Sequence, residues 1–450
     1  MKLRQLGVLL CTISIFNVAT LTAKENKTPH ITVIKNIQIF DGEHNKLIQG
    51  KSILIENNLI KKIDTLAKIP KDATVIDGKG EVAIPGLIDA HTHLMVTDSF
   101  ENVIYNQEQI YVGAVATKAA KAMLLRGFTT VRDAGGPVMG LKRAIDKGII
   151  AGPRIFPSNA FISQTGGHGD FDPAMSYISP HFSHSLDKAE LYGWVKIADG
   201  VPEVQKAARE VLRSGASQLK VMASGSITGA HDPIDVTEYT FEELKAIVTE
   251  AKHWGTYVMV HAYSDNAVRN AINAGVLSVE HGLMVKPETL KLMKKKGVWL
   301  STQCINYGKE AKDLGIAGTP MEAKFNEAKK AAEQTYRLAK KYGLKLAWGT
   351  DTFGSLELQA TQSQEFSMRA KYFSSFEVLN QATGLNGQLL ALSGRRTPYP
   401  DGKLGLLEKG AYADILIVKG NPLKDVTLLS DPKKNIEFIM KDGKIYKNSL

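Results

Sequence analysis

The chain of 450 residues holds two cysteines, Cys11 and Cys304. So sparse a supply excludes the disulfide framework that staples small secreted domains. Long apolar runs are equally scarce. Beyond the first two dozen residues, no stretch approaches the roughly 20 apolar residues of a membrane-spanning helix. Nor is there a long Lys/Arg run interleaved with aromatics, although the formal net charge is +10. "KLMKKKG" (291–297) reads as the solvated end of a helix, so no nucleic-acid partner is expected. Longer-period repeats and low-complexity linkers are missing too. What remains is 44% apolar and 23% charged residues, a soluble globular composition. Its length suits one large barrel or two to three ordinary domains.

The first residues, "MKLRQLGVLLCTISIFNVATLTA", set Lys2 and Arg4 before an apolar core from Leu6 to Phe16 and small residues up to Ala23. That order is the layout of a secretory signal peptide over 1–23, with cleavage after Ala23. A lipoprotein reading through Cys11 is weaker, because Leu10 is bulky for the residue before a lipidated cysteine. A periplasmic or secreted protein is expected. Its mature form keeps only Cys304 and so has no internal disulfide.

From Ile31 to Val82 short β-branched runs alternate with Asp-Gly and Asn-Asn punctuation, as in "ITVIKNIQIFDG" and "KSILIENNLIKKID". The last fifty residues repeat this style in "ADILIVKGNP" and "IEFIMKDGKIY", so the two ends are expected to build one small β domain. Between them eight apolar runs alternate with amphipathic helical stretches: 83–88, 129–132, 154–156, 218–222, 257–260, 277–280, 298–302 and 344–348. Several helical stretches stop at Gly, and Thr240 with Glu243 fits a capping box. Eight strands alternating with helices fit a (β/α)8 barrel better than an open sheet. Two long connections, Ser158 to about Gly200 and Ala223 to Thr240, follow strands. In a barrel both stand on the C-terminal face, where active sites lie.

That face collects metal-binding chemistry. "GLIDAHTHL" places His91 and His93 two apart, on one side of a strand end and roughly 7 Å apart at Cα. Such a pair can converge on one ion. Further strand ends deliver Lys220 ("SQLKVMASG"), His261 ("YVMVHAYS"), His281 ("LSVEHGLM") and Asp351 ("LAWGTDTFG"). Taken singly, His261 or His281 reads as a satisfied core histidine, Lys220 as a snorkelling rim cation and Asp351 as a turn cap. Together they point at one mouth.

The set resembles the amidohydrolase superfamily in its binuclear form. The likeness covers essentially the whole mature chain, through "PGLIDAHTH", "SVEHG" and "GLLEKGAYADILIVKGNPL" (405–423). It implies a (β/α)8 TIM-like barrel over 86–396 and a small β-sandwich from 31–85 and 397–450. It also implies two divalent ions, expected to be Zn2+: one on His91, His93 and Asp351, the other on His261 and His281. Lys220 would be N6-carboxylated and bridge them, because an ammonium has no lone pair to offer a cation. The superfamily's mononuclear deaminases lack that lysine.

By the same resemblance, "SQTGGHGD" (163–170), "VHAYS" and "AGVLSVEHG" point to the imidazolonepropionase-related branch of Xaa-Pro dipeptidases (prolidase-like) and carboxypeptidase-like enzymes. The implied reaction is hydroxide attack on the amide carbonyl of a dipeptide or N-acyl amino acid with a free C-terminal carboxylate. Asp351 would shuttle the proton, His168 would meet the carbonyl oxygen or oxyanion, and Tyr263 would donate a hydrogen bond to substrate. Arg132 and Arg269 are the options for binding the carboxylate, each with an ion-pair role as its alternative. Gln303, Cys304 and Tyr307 in "WLSTQCINYG" depart from the branch's apolar pattern and leave the side-chain preference open. Cys304 reads as a packed residue rather than a nucleophile. Competing readings are a hydrolase of cyclic amides or other small C–N bonds, and a non-catalytic periplasmic binding protein. The second is disfavoured because all six ligands are kept. No membrane span is expected, and a homo-oligomer stays open.

Overall fold

The computed structural model describes residues 29–66, 68–171, 187–229 and 232–450. The expected signal peptide, 1–23 with Cys11, lies outside the described residues, as does 172–186 of the first long connection. Six short strands come first: β1 (Ile31–Lys35), β2 (Gln38–Ile39), β3 (Ser52–Glu56), β4 (Leu59–Asp64), β5 (Thr74–Asp77) and β6 (Val82–Pro85). The middle carries β7 (Leu87–Thr92), β8 (Phe128–Asp133), β9 (Arg154–Pro157), β10 (Phe161–Ser163), β11 (Val195–Ile197), β12 (Leu219–Met222), β13 (Val258–Ser264), β14 (Ser278–Met284), β15 (Trp299–Thr302) and β16 (Lys345–Trp348). The chain closes on β17 (Ile415–Val418), β18 (Ile436–Lys441) and β19 (Lys444–Asn448).

The two ends make two sheets, ordered β4-β3-β1-β5 and β19-β18-β17-β6-β2. The second joins both termini, with β17 antiparallel to β6 so that Ile415 faces Pro85 and Val418 faces Val82. Strand β3 alternates buried and half-buried residues, as a strand with one covered face must. Ile34, Ile53, Ile417 and Phe438 meet in the core between these sheets.

The middle strands are parallel, in orders β7-β8-β9 and β11-β10-β12-β13-β14-β15-β16. Backbone hydrogen bonds bridge the seams, among them Asp351 N–H to His91 O (2.9 Å) on one side and Ser217 N–H to Pro157 O (2.7 Å) on the other. The architecture is a TIM-like barrel with a β-sandwich built from both chain ends. Strands β7 and β8 are buried at every residue, so their polar members, among them Asp89, His91, Arg132 and Asp133, must find partners inside the barrel. The helix Phe241–His253 begins with the Thr240–Glu243 capping box, and the helix Pro320–Tyr342 ends where Gly343 takes a left-handed φ of +63°.

Two expectations change. The run 83–88 is not one strand: Gly86 N–H donates to Asp414 O in the sandwich, while Leu87 N–H donates to Gly127 O in the barrel. The chain therefore changes sheets at Gly86. Only glycine fits there, since a Cβ would lie 2.1 Å from Thr129 Oγ1. The connection 158–200 is not bare loop either. It holds β10 and β11, and β10 joins the barrel by pairing Ile162 with Val221 of β12. Among the described residues no helix is long and apolar enough to cross a membrane.

Candidate metal centre and active site

Parallel strands all end at one rim, so residues at their C-termini converge there. His91 lies in β7 and His93 just past it; Lys220 lies in β12, His261 in β13, His281 in β14, and Asp351 three residues beyond β16. All six line one cavity of about 200 Å³, together with His168 and Tyr263. His91 Nε2 and His93 Nε2 each stand 3.4 Å from Asp351 Oδ1. Ligand atoms of His91, His281 and Asp351 fall within 4.8 Å of one another, and the rings of His261 and His281 are 4.5 Å apart. Two of these atoms, His91 Nε2 and Asp351 Oδ1, are buried with no hydrogen-bond partner among the described residues. Lone-pair atoms that face each other without a proton or partner fit a cation between them.

The other nitrogen of each ring is engaged. His91 Nδ1 reaches Glu280 Oε2 at 2.8 Å, His93 Nδ1 reaches Gly135 O at 3.1 Å, and His281 Nδ1 reaches Gln303 Oε1 at 2.9 Å. For His261 it is Nε2 that approaches an acceptor, Gly225 O at 3.4 Å. Donation from these nitrogens leaves the opposite lone pair for a metal. Burial holds His91 neutral with a pKa near 4 and His281 near 3, and puts His261 well below its ordinary value. Burial would raise Asp351, but the imidazoles packed against it, His91 first and then His93 and His281, outweigh it and keep the carboxyl ionised. Lys220 is 1% exposed, and burial brings its pKa down to about 8 against the opposing pull of Glu280 and Asp351. It is therefore no rim cation. His281 (φ +70°) and Asp351 (φ +53°) both adopt left-handed backbone, strain of about 1 kcal/mol or more each that clusters at functional sites.

His168 and Tyr263 flank this floor. His168 stacks on His261 with centroids 4.5 Å apart, and its Nδ1 lies 3.0 Å from Asp232 Oδ2. Its backbone N–H donates to Glu238 Oε1 (2.8 Å). Tyr263 stacks on His281 with centroids 4.9 Å apart and planes almost parallel, and its hydroxyl pairs with that of Tyr307 at 2.7 Å.

Neither arginine reaches the cavity. Arg132 is fully buried beneath the centre, bonded to Glu280 Oε1 (2.8 Å), Ala90 O and Tyr257. Arg269 sits on the helix Asp265–Ala274, paired with Asp265 and Thr289. Gln303 steadies His281 instead of reading substrate. Burial pushes the Cys304 thiol up, away from any nucleophilic role. Sequence reasoning passed over Glu280, Asp232 and Glu238. For Glu280 the available signal was its place directly before His281, inside a fully patterned strand run.

Residues 82–446 match the amidohydrolase family. The chain belongs to that family, hydrolases of carbon–nitrogen bonds. It is similar to the ochratoxinase of Aspergillus niger, with 30% identity over 425 residues, 90% of this chain and 84% of the relative. Among solved structures it resembles a prolidase complexed with N-methylphosphonate-L-proline (34% identity, TM-score 0.85, covering 93% of this chain and all of the other). A Xaa-Pro dipeptidase with methionine bound in its active site is also similar (29% identity, TM-score 0.80, the same coverage). These neighbours mark the chain as a prolidase-like amidohydrolase.

Proposed function

We propose that this chain is an exported binuclear metallopeptidase that frees the C-terminal amino acid from Xaa-Pro-like dipeptides or from N-acyl amino acids. The observation that carries the reading is the pair of orphaned atoms, His91 Nε2 and Asp351 Oδ1, facing each other on the floor of the cavity. The likeness to a prolidase that binds an N-substituted proline supports the choice of substrate. The N-terminal layout of Lys2, Arg4, an apolar core and Ala23 supports export to the periplasm or beyond.

His91, His93, Asp351, His261 and His281 would hold two divalent ions, Zn2+ in this reading, with a carboxylated Lys220 between them. Such ions, when bound, polarise a carbonyl and acidify the attacking water. Burial prepares Lys220: its neutral amine adds to carbon dioxide, forms an N–C bond and releases one proton, leaving a two-oxygen anion. Asp351 accepts the water's proton and returns it to the leaving nitrogen. His168, as an imidazolium whose Nδ1–H is held by the Asp232 carboxylate, donates its Nε2–H to the carbonyl oxygen, and Tyr263 orients the substrate. Phe100, Phe161 and Phe353 lie around His93 with centroids 5.5 to 6.3 Å away, so the uncharged part of the substrate is expected to be apolar.

The test pairs metal counting with a panel of Xaa-Pro, Xaa-Phe and N-acyl amino acids, each beside its C-terminal amide. Two ions per chain, with cleavage of acids but not amides, is the expected result. Two ions with cleavage of neither discards the peptide assignment.

A further inference from the structure

With Arg132 and Arg269 committed elsewhere, the question is what meets a substrate's negative charge. The cavity lining holds no arginine and two lysines, Lys220 and Lys309. Lys220 is enclosed in the metal centre. Lys309 stands two residues past the short helix Cys304–Tyr307, in the connection that follows β15. It is half-buried, and Leu314, Ile316 and Phe325 line the same cavity.

Its surroundings leave the ammonium available. The acids nearest in the chain have other partners: Glu310 Oε1 pairs with Lys329 Nζ at 2.6 Å, and Asp313 Oδ2 accepts Glu310 N–H at 3.1 Å. Burial lowers the Lys309 pKa, and Asp313 opposes this only through space. The backbone, by contrast, is pinned. Lys329 Nζ on the helix Pro320–Tyr342 also donates to Lys309 O at 2.7 Å. A fixed, half-desolvated cation on an apolar wall, unpaired among the described residues, suits an anionic ligand group.

We propose that Lys309 is the cation that meets a carboxylate of the substrate and so selects anionic substrates. The inference rests on the reading of this cavity as an amide-hydrolysing site. The carboxylate belongs either to the C-terminus or to an acidic side chain, and the test separates them.

Metal-replete wild type, Lys309→Met and Lys309→Arg are assayed on Ala-Gln, Ala-Glu and the C-terminal amide of each. Binding of free L-glutamine and L-glutamate is measured calorimetrically in parallel. Lys309→Met is expected to raise KM about 10- to 100-fold with little change in kcat, and Lys309→Arg to recover most of it. A KM rise confined to free acids assigns the C-terminal carboxylate; one confined to Ala-Glu and its amide assigns the side chain. If no peptide is cleaved but Lys309→Met weakens amino-acid binding at least tenfold, the inference stands while the peptidase reading falls. Equal amino-acid binding by wild type and Lys309→Met, or no binding by either, overturns the inference even where peptides are cleaved.

Discussion

Two buried carboxyls beside the histidine cluster of the cavity do different work. Asp232 accepts from His168 Nδ1 and from Ser226 N–H (2.7 Å). It stays ionised although burial opposes this, because the hydrogen bond and charge of His168 prevail. Asp232 is thus a positioning residue. Asp232→Asn should lower kcat about 10- to 100-fold and leave KM and metal content near wild type. An unchanged kcat would remove His168 from the reaction. Glu238 is the opposite case. Burial lifts its pKa to about 8, against the hydrogen bond from His168 N–H, and its Oε2 has no partner among the described residues. A raised carboxyl binds its proton more tightly when folded, so the fold loses stability as pH rises from about 4.5 to 8, at most about 1.4 kcal/mol per unit. Glu238→Gln cannot titrate and escapes that loss. Denaturation midpoints from pH 5 to 8 should therefore show the variant gaining on wild type; a gap that does not change with pH would refute the shift.

Elements decide what sequence reasoning could reach. The pair His91 and His93 was legible because strand alternation fixes it within three residues. The Arg132–Glu280–His91 chain was not, because it joins β8, β14 and β7 and exists only once the barrel closes. The sheet change at Gly86 was likewise hidden, since what demands glycine there is the side chain of Thr129 across the strand. Another contact of this kind holds the β12 connection. Lys324, on the helix Pro320–Tyr342, donates to three of its carbonyls: Ser226 O (3.1 Å), Gly229 O (2.8 Å) and Asp232 O (2.7 Å). One side chain thereby fixes the segment that aims Asp232 at His168. Lys324→Met should speed amide exchange at 226–229 and lower kcat while metal binding persists. Slow exchange with full activity would mean that the segment holds itself.

At the scale of the whole molecule, the sandwich meets the barrel through a buried cation. Arg154, at the start of β9 and 2% exposed, pairs with Asp414 and, at 2.7 Å, with Asp442. Its guanidinium also lies 4.1 Å from the Tyr412 ring centroid. Those acids hold the arginine well above its usual pKa despite burial. They belong to the C-terminal segment, while Arg154 begins a strand whose other end faces the active-site rim. The histidine cluster, Lys220 and Asp351 therefore sit at one end of the barrel and the sandwich is tied at the other. Arg154→Met leaves Asp414 buried without its cation, a loss of about 3–5 kcal/mol for a broken buried pair. The expected outcome is a markedly lower Tm with near-normal kcat and metal content at 25 °C, because no ligand moves. A fall in metal content while Tm holds would show that the junction shapes the site, and that the two ends of the barrel are not independent.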